Sequence, residues 1–177
     1  MKFIGKILNF LNSKLKNLYE YMRYNLFYKE IDYLNKQNSI YLKYNLNRED
    51  GLKKLNKLLS NNNDLLSEML SEHSVIFSSI SNLENKSFMN ILEIGTYDGK
   101  NALLLAKLFE NSTIDTVDLP DNDEIFLNSY QRENINERKK FCDKRNSLLK
   151  KTRNINFIQI NSLQLIKFEK KYDLIWI

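Results

Sequence analysis

Asn90-Ile91-Leu92-Glu93-Ile94-Gly95-Thr96-Tyr97-Asp98-Gly99-Lys100-Asn101 is the stretch that decides the fold of this chain. The apolar run over 89–94 reads as a short buried strand, and it ends at a glycine. Residues 101–109 (NALLLAKLF) are rich in Leu and Ala and read as a helix. Towards the C-terminus, 113–117 reads as a strand, 127–150 as largely helical, and 156–160 and 173–177 as two more strands. Strands that alternate with helices imply right-handed crossovers, hence an α/β fold with a parallel sheet covered by helices.

Towards the N-terminus the grammar differs, which divides the chain into a helical extension over 1–85 and an α/β domain over 86–177. Ile4, Leu8, Leu11, Leu15, Leu18 and Met22 recur at spacings of three and four, the stripe of an amphipathic helix. Asn47 or Asp50 is placed to cap a helix containing Leu52, Leu55, Leu58 and Leu59. Asn63 or Asp64 is placed to cap another that runs to Ile80, with a polar turn over 60–63 between them.

Bulk properties narrow the function classes. The 177 residues carry a formal charge of +5, concentrated in residues 1–30 and 138–153. The basic amphipathic helix over 1–30 can lie on an anionic membrane surface, or its apolar stripe can pack on the rest of the chain or on another subunit of a homo-oligomer, and these alternatives stay open. Nucleic acid is not expected as a partner, because the basic residues do not cluster with an aromatic recognition motif. Cys142 and His73 stand alone in their residue types, which excludes a disulfide framework and argues against a structural zinc site. No run is long and apolar enough to span a membrane and no signal peptide is evident, so the expected location is cytoplasmic, with peripheral membrane contact through 1–30 as an option.

In an open parallel sheet, ligands bind beyond the carboxyl ends of the strands. Gly95 allows a tight turn and close approach to the backbone, and Gly99 relieves crowding where the helix begins. The spacing lacks the third glycine of a dinucleotide fingerprint, and Tyr97 and Asp98 interrupt it. Glu93, a carboxylate at the end of an apolar strand, needs partners. It suits a ligand carrying an ammonium and a sulfonium and repels a pyrophosphate, against the rival reading of a nicotinamide-dependent oxidoreductase. Asp118 ends the next strand, where an acid can accept ribose hydroxyls, and Pro120 stops that strand. Asn161 and Ser162 follow the third strand.

NILEIGTYDGKNALLLAKLF, TVDLPD, INFIQINS and YDLIWI, in this order, resemble the class I S-adenosylmethionine-dependent methyltransferases, and look closest to their small-molecule O-methyltransferase-like branch. The resemblance covers about 70–177. It implies a Rossmann-like domain and S-adenosyl-L-methionine as cofactor. It also implies that Glu93, Gly95 and Gly99 shape the methionine pocket, that Thr96, Tyr97 and Asp98 line it, that Asp118 binds ribose and that Asn161 and Ser162 adjoin adenine. Two positions depart from the pattern: Tyr97 stands where Gly is commoner, and Asn161 where an Asp is often found.

The resemblance implies transfer of a methyl group to a small-molecule or glycan acceptor. No catalytic base and no metal ligand can be named. In the family an acidic motif follows directly after the strand over 173–177, so this sequence reads as an N-terminal portion truncated after the fourth core strand. Its last apolar strand would then be an exposed edge, and the portion inactive by itself. The competing reading from another class is a non-catalytic cofactor-binding or membrane-associated scaffold.

Overall fold

The computed structural model describes residues 14–16, 18–19, 21–22, 30–65, 69–84, 87–129 and 134–177. In chain order these contain α1 (Glu30–Lys43), α2 (Arg48–Ser60), α3 (Glu72–Ile80), β1 (Asn90–Ile94), α4 (Lys100–Leu108) and β2 (Thr113–Asp118). There follow α5 (Glu124–Asn128), α6 (Ile135–Leu149), β3 (Ile155–Gln159), a 3-10 helix (Ser162–Lys167) and β4 (Leu174–Trp176).

All strand pairs are parallel and the order is β3-β2-β1-β4, as an α/β sheet flanked by helices requires. Ile91 pairs with Ile114 on one side and Leu174 on the other, and Glu93 lies between Thr116 and Trp176. The two central strands are buried along most of their length, whereas β3 and β4 are more exposed edges. Burial on both faces explains why β1 reads as a continuous apolar run interrupted only by Glu93. Ala102, Leu103, Leu104, Leu105, Ala106 and Leu108 of α4 are all buried, so this helix has neighbours on nearly every side.

Chain order runs outward from β1 to β2 to β3 and then returns to the other side of β1 for β4. The reversal places the topological switch point at the carboxyl ends of β1 and β4.

The strands and α4 lie within one residue of their expected bounds. Two helical expectations need correction. The helix expected from Asn63 or Asp64 to Ile80 begins at Glu72 instead, where the Ser71 hydroxyl accepts the Ser74 N–H, and Asn63 and Asp64 lie in turns. The helical region expected over 127–150 is two helices, because Ser129 ends α5 in an extended conformation and Asn134 caps α6 through the N–H groups of Asn136 and Glu137.

The Asn47 cap is as expected, accepting the Asp50 N–H at 3.2 Å. Within the N-terminal stripe, Ile4, Leu8 and Leu11 lie outside the described residues, while Leu15, Leu18 and Met22 are exposed. The chain separates into compact units at 45/46, so α2 and α3 share a unit with the sheet. The expected boundary at 85/86 marks the change from helical to α/β sequence. Two interactions explain the grouping: Arg48 and Glu72 tie α2 to α3 through two 2.9 Å hydrogen bonds, and Phe77 of α3 packs on Trp176 of β4. Among the described residues no helix is long and apolar enough to cross a membrane.

Candidate functional site at the carboxyl ends of the central strands

Gly95 leaves β1 with its N–H donating to the Val117 carbonyl at 2.8 Å, so β1 and β2 stay paired up to the turn. Its φ is +98°, a region that favours glycine, and a Cβ added there would meet no atom within 4 Å. The backbone is therefore open on that side. Gly99 has a different reason to be glycine. Its φ is +81°, it caps α4, and a Cβ would lie 2.9 Å from Leu149 Cδ2 on α6. Gly95 leaves space, and Gly99 permits packing.

Tyr97 has a φ of +49°, which accounts for glycine being the commoner residue at this turn position. Its backbone N–H donates to Asp118 Oδ2 at 3.0 Å, and the Leu119 N–H donates to Oδ1 at 2.8 Å. Asp118 thus fastens the loop after β1 to the end of β2. Each of its oxygens keeps a second lone pair. Asp98 is committed to the helix start, accepting the Lys100 N–H at 3.1 Å and pairing with Lys100 Nζ at 2.7 Å.

Glu93 is buried, as is Thr96 beside it. Asn101 Nδ2 donates to Glu93 Oε1 at 2.7 Å, and the Thr116 hydroxyl donates to Oε2 at 2.5 Å. With Thr116 donating to the carboxylate, the 2.6 Å contact between Thr96 and Thr116 has Thr96 as donor. The carboxylate is therefore satisfied by side chains of α4 and β2 rather than by loop N–H groups. Burial raises its pKa to about 7; the Thr116 and Asn101 hydrogen bonds oppose the rise, and the charges of Asp118 and Asp98 add to it. Three carboxylates feel one another here, and Lys100 is paired to only one of them.

Asn161 and Ser162 follow β3 at the same end of the sheet. The Asn161 side chain accepts the Leu163 N–H at 3.0 Å and starts the 3-10 helix. The nine residues expected at the site thus fall at the carboxyl ends of β1, β2 and β3 and just beyond them, with Glu93, Thr96 and Gly99 buried and the others partly or fully accessible. His73 joins this end of the sheet through α3, its ring centroid 5.1 Å from that of Trp176. Cys142 is buried on α6.

A cleft of about 340 Å³ adjoins the loop and is bordered by Tyr97, Asp98 and Lys100, by Phe141, Lys144, Arg145 and Leu148 of α6, and by the turn at Asn63 and Asp64. Sequence reasoning reached only its Tyr97 and Asp98. The signal for the rest was present in α6, where Phe141, Lys144, Arg145 and Leu148 have the spacing of one helix face.

Arg145 is the unexpected member of this set. Its side chain is wholly buried, and its Nη2 meets both oxygens of Asp121 at 2.9 Å. Its guanidinium lies 4.6 Å from the Phe157 ring centroid.

No protein-family model matches the chain, and no curated protein matches it. Solved structures similar to it include two methyltransferases. One is an S-adenosylhomocysteine-bound methyltransferase of Podospora anserina, PaMTH1, with 16% identity and a TM-score of 0.39 over 80% of this chain and 56% of that one. The other is a candidate O-methyltransferase from Klebsiella pneumoniae, with 17% identity and a TM-score of 0.34 over 70% of this chain and 51% of that one. The chain spans about half the length of each.

Proposed function

We propose that this chain binds S-adenosyl-L-methionine beside the loop after β1 and is a class I methyltransferase acting on a small-molecule or glycan acceptor. The observation that carries the reading is Gly95, a left-handed glycine with open space beside it at the carboxyl end of a central strand, next to the switch point. The acidic surroundings support it. Glu93, Asp98 and Asp118 favour a ligand bearing an ammonium and a sulfonium, and disfavour the pyrophosphate of a dinucleotide.

When bound, the cofactor supplies a methyl group made electrophilic by the sulfonium. The chain's own residues would bind and orient. Gly95 admits the ligand against the backbone, and the spare lone pairs of Asp118 suit two ribose hydroxyls. Asn161 and Ser162 would adjoin the adenine. Above its pKa of about 7 Glu93 supplies negative charge from beneath, while Thr96 and Asn101 hold the loop and the start of α4 in place. Methyl transfer needs alignment and exclusion of water above all, so a rigid, hydrogen-bonded loop is the contribution expected of the protein.

The test is calorimetric titration of S-adenosylhomocysteine into the protein, with Asp118→Asn as the variant. Asn keeps one oxygen for the loop N–H groups but loses the charge and the acceptor set. Saturable binding that weakens at least about tenfold in the variant is expected. Absence of binding by a protein shown to be folded would sink the reading and leave that of a non-catalytic scaffold.

A further inference from the structure

We propose that residues 1–45 carry a docking surface for an anionic lipid bilayer, on which the chain rests without crossing it. Met1–Asn45 is a compact unit of its own. It holds eight of the 27 Lys and Arg residues but three of the 22 Asp and Glu residues, a net charge of +5. The rest of the chain carries the two signs in equal number, so the whole formal excess sits on this unit. The basic run over 138–153 is matched in part within its own unit, where Arg145 pairs with Asp121 and Lys151 with Asp64.

The same unit exposes apolar surface. Half of the exposed large hydrophobic side chains among the described residues belong to it. Leu15, Leu18, Tyr19 and Met22 have the spacing of one helix face and are 42% to 62% exposed. On α1, Tyr33 and Ile40 share a face with Lys36 and Lys43, and all four are exposed. Lysines beside such a stripe set their stems against acyl chains and their ammonium groups among lipid phosphates. Seven of the ten tyrosines also fall in 1–45. Tyrosine is enriched at membrane–water interfaces, where its ring is buried and its hydroxyl wet.

Charge and apolar surface together select the occupant. A second copy would set +5 against +5, which repels. A nucleic acid would match the charge but leave the exposed Leu, Ile and Met side chains in water. An anionic bilayer takes up both. Docking of this kind is independent of the cofactor reading.

Co-sedimentation of the full chain would compare vesicles of phosphatidylcholine alone with vesicles containing about one third phosphatidylglycerol. Partition is expected to favour the anionic vesicles by at least about tenfold and to fall as salt is raised. Lys36→Glu combined with Lys43→Glu is expected to weaken it about tenfold. Leu15→Ser combined with Leu18→Ser is expected to weaken it about fivefold even at low salt. All four positions are exposed, so the melting temperatures of both double variants should match the wild type. Absence of vesicle binding, equal partition into neutral and anionic vesicles, or indifference to the leucine pair would overturn the proposal. Tighter binding of polyuridylate than of anionic vesicles would assign the surface to nucleic acid instead. Self-association in ultracentrifugation without vesicle binding would assign it to a second copy.

Discussion

The residue with the most at stake is Glu93, because it is ionisable, buried and hydrogen-bonded at both oxygens. Its pKa of about 7 lies above the ordinary carboxylate value, so between roughly pH 4.5 and 7 the folded chain holds a proton that the unfolded chain has lost. Its contribution to stability is therefore fully present below that window and is lost as pH rises through it. Melting temperatures of the wild type and Glu93→Gln, followed from pH 5 to 8, should show the wild type falling relative to the variant (the pH range being an approximate span around the titration). The two loop glycines make a second test. Gly95→Ala meets only backbone strain and should cost about 1–2 kcal/mol while abolishing cofactor-analogue binding. Gly99→Ala adds the contact with Leu149 to its strain and should cost about 2–4 kcal/mol by denaturant melts. At this scale the sequence separated the two jobs, open approach at Gly95 and relief of crowding at Gly99, but could not name what crowds Gly99, since Leu149 lies on a helix remote in sequence. Arg145 was out of reach for a similar reason: a basic residue in a charge-rich helix reads as solvated until the fold encloses it between Asp121, Phe126 and Phe157.

Among the elements, β1 was legible because burial on both faces writes an apolar run, and α4 because six of its nine positions are apolar. The helices before the sheet were less so. Ser71 caps α3 late, and nothing in the pattern over 63–70 marks that position above Asn63 or Asp64, which are also good cap residues. Nor did the sequence reveal how closely α2 and α3 meet. Gly51 lies in the first turn of α2, and a Cβ there would come within 2.0 Å of Ser79 Oγ. That hydroxyl donates to the Val75 carbonyl at 2.8 Å and reaches the Asn47 carbonyl at 3.1 Å, so it is tied down on both helices. Gly51→Ala should therefore destabilise the protein by about 1–3 kcal/mol in urea melts, and adding Ser79→Gly should return part of that loss. An unchanged midpoint for the single variant would mean that the two helices are free to separate.

At the scale of the whole molecule, β1 and β4 are sutured at their starts as well as paired along their length. Asp173 Oδ2 accepts the N–H groups of Met89 at 2.8 Å and Asn90 at 3.0 Å, and these bonds lower its pKa. The sign is opposite to that of Glu93. A lowered carboxylate contributes stability that is present above its unfolded pKa and lost as pH falls through the folded one. Acid titration of wild type against Asp173→Asn should show the difference in melting temperature shrinking below about pH 4; a constant difference would show that the charge plays no part. The opposite end of the same strand carries a different property. Trp176, the chain's single tryptophan, ends β4 with its ring 5.1 Å from His73 and 5.2 Å from Phe77, both on α3. All indole light emitted by this protein thus originates where one helix docks on one strand. Its colour and lifetime report that junction, beside the carboxyl ends of the central strands, and are blind to events elsewhere until they reach it.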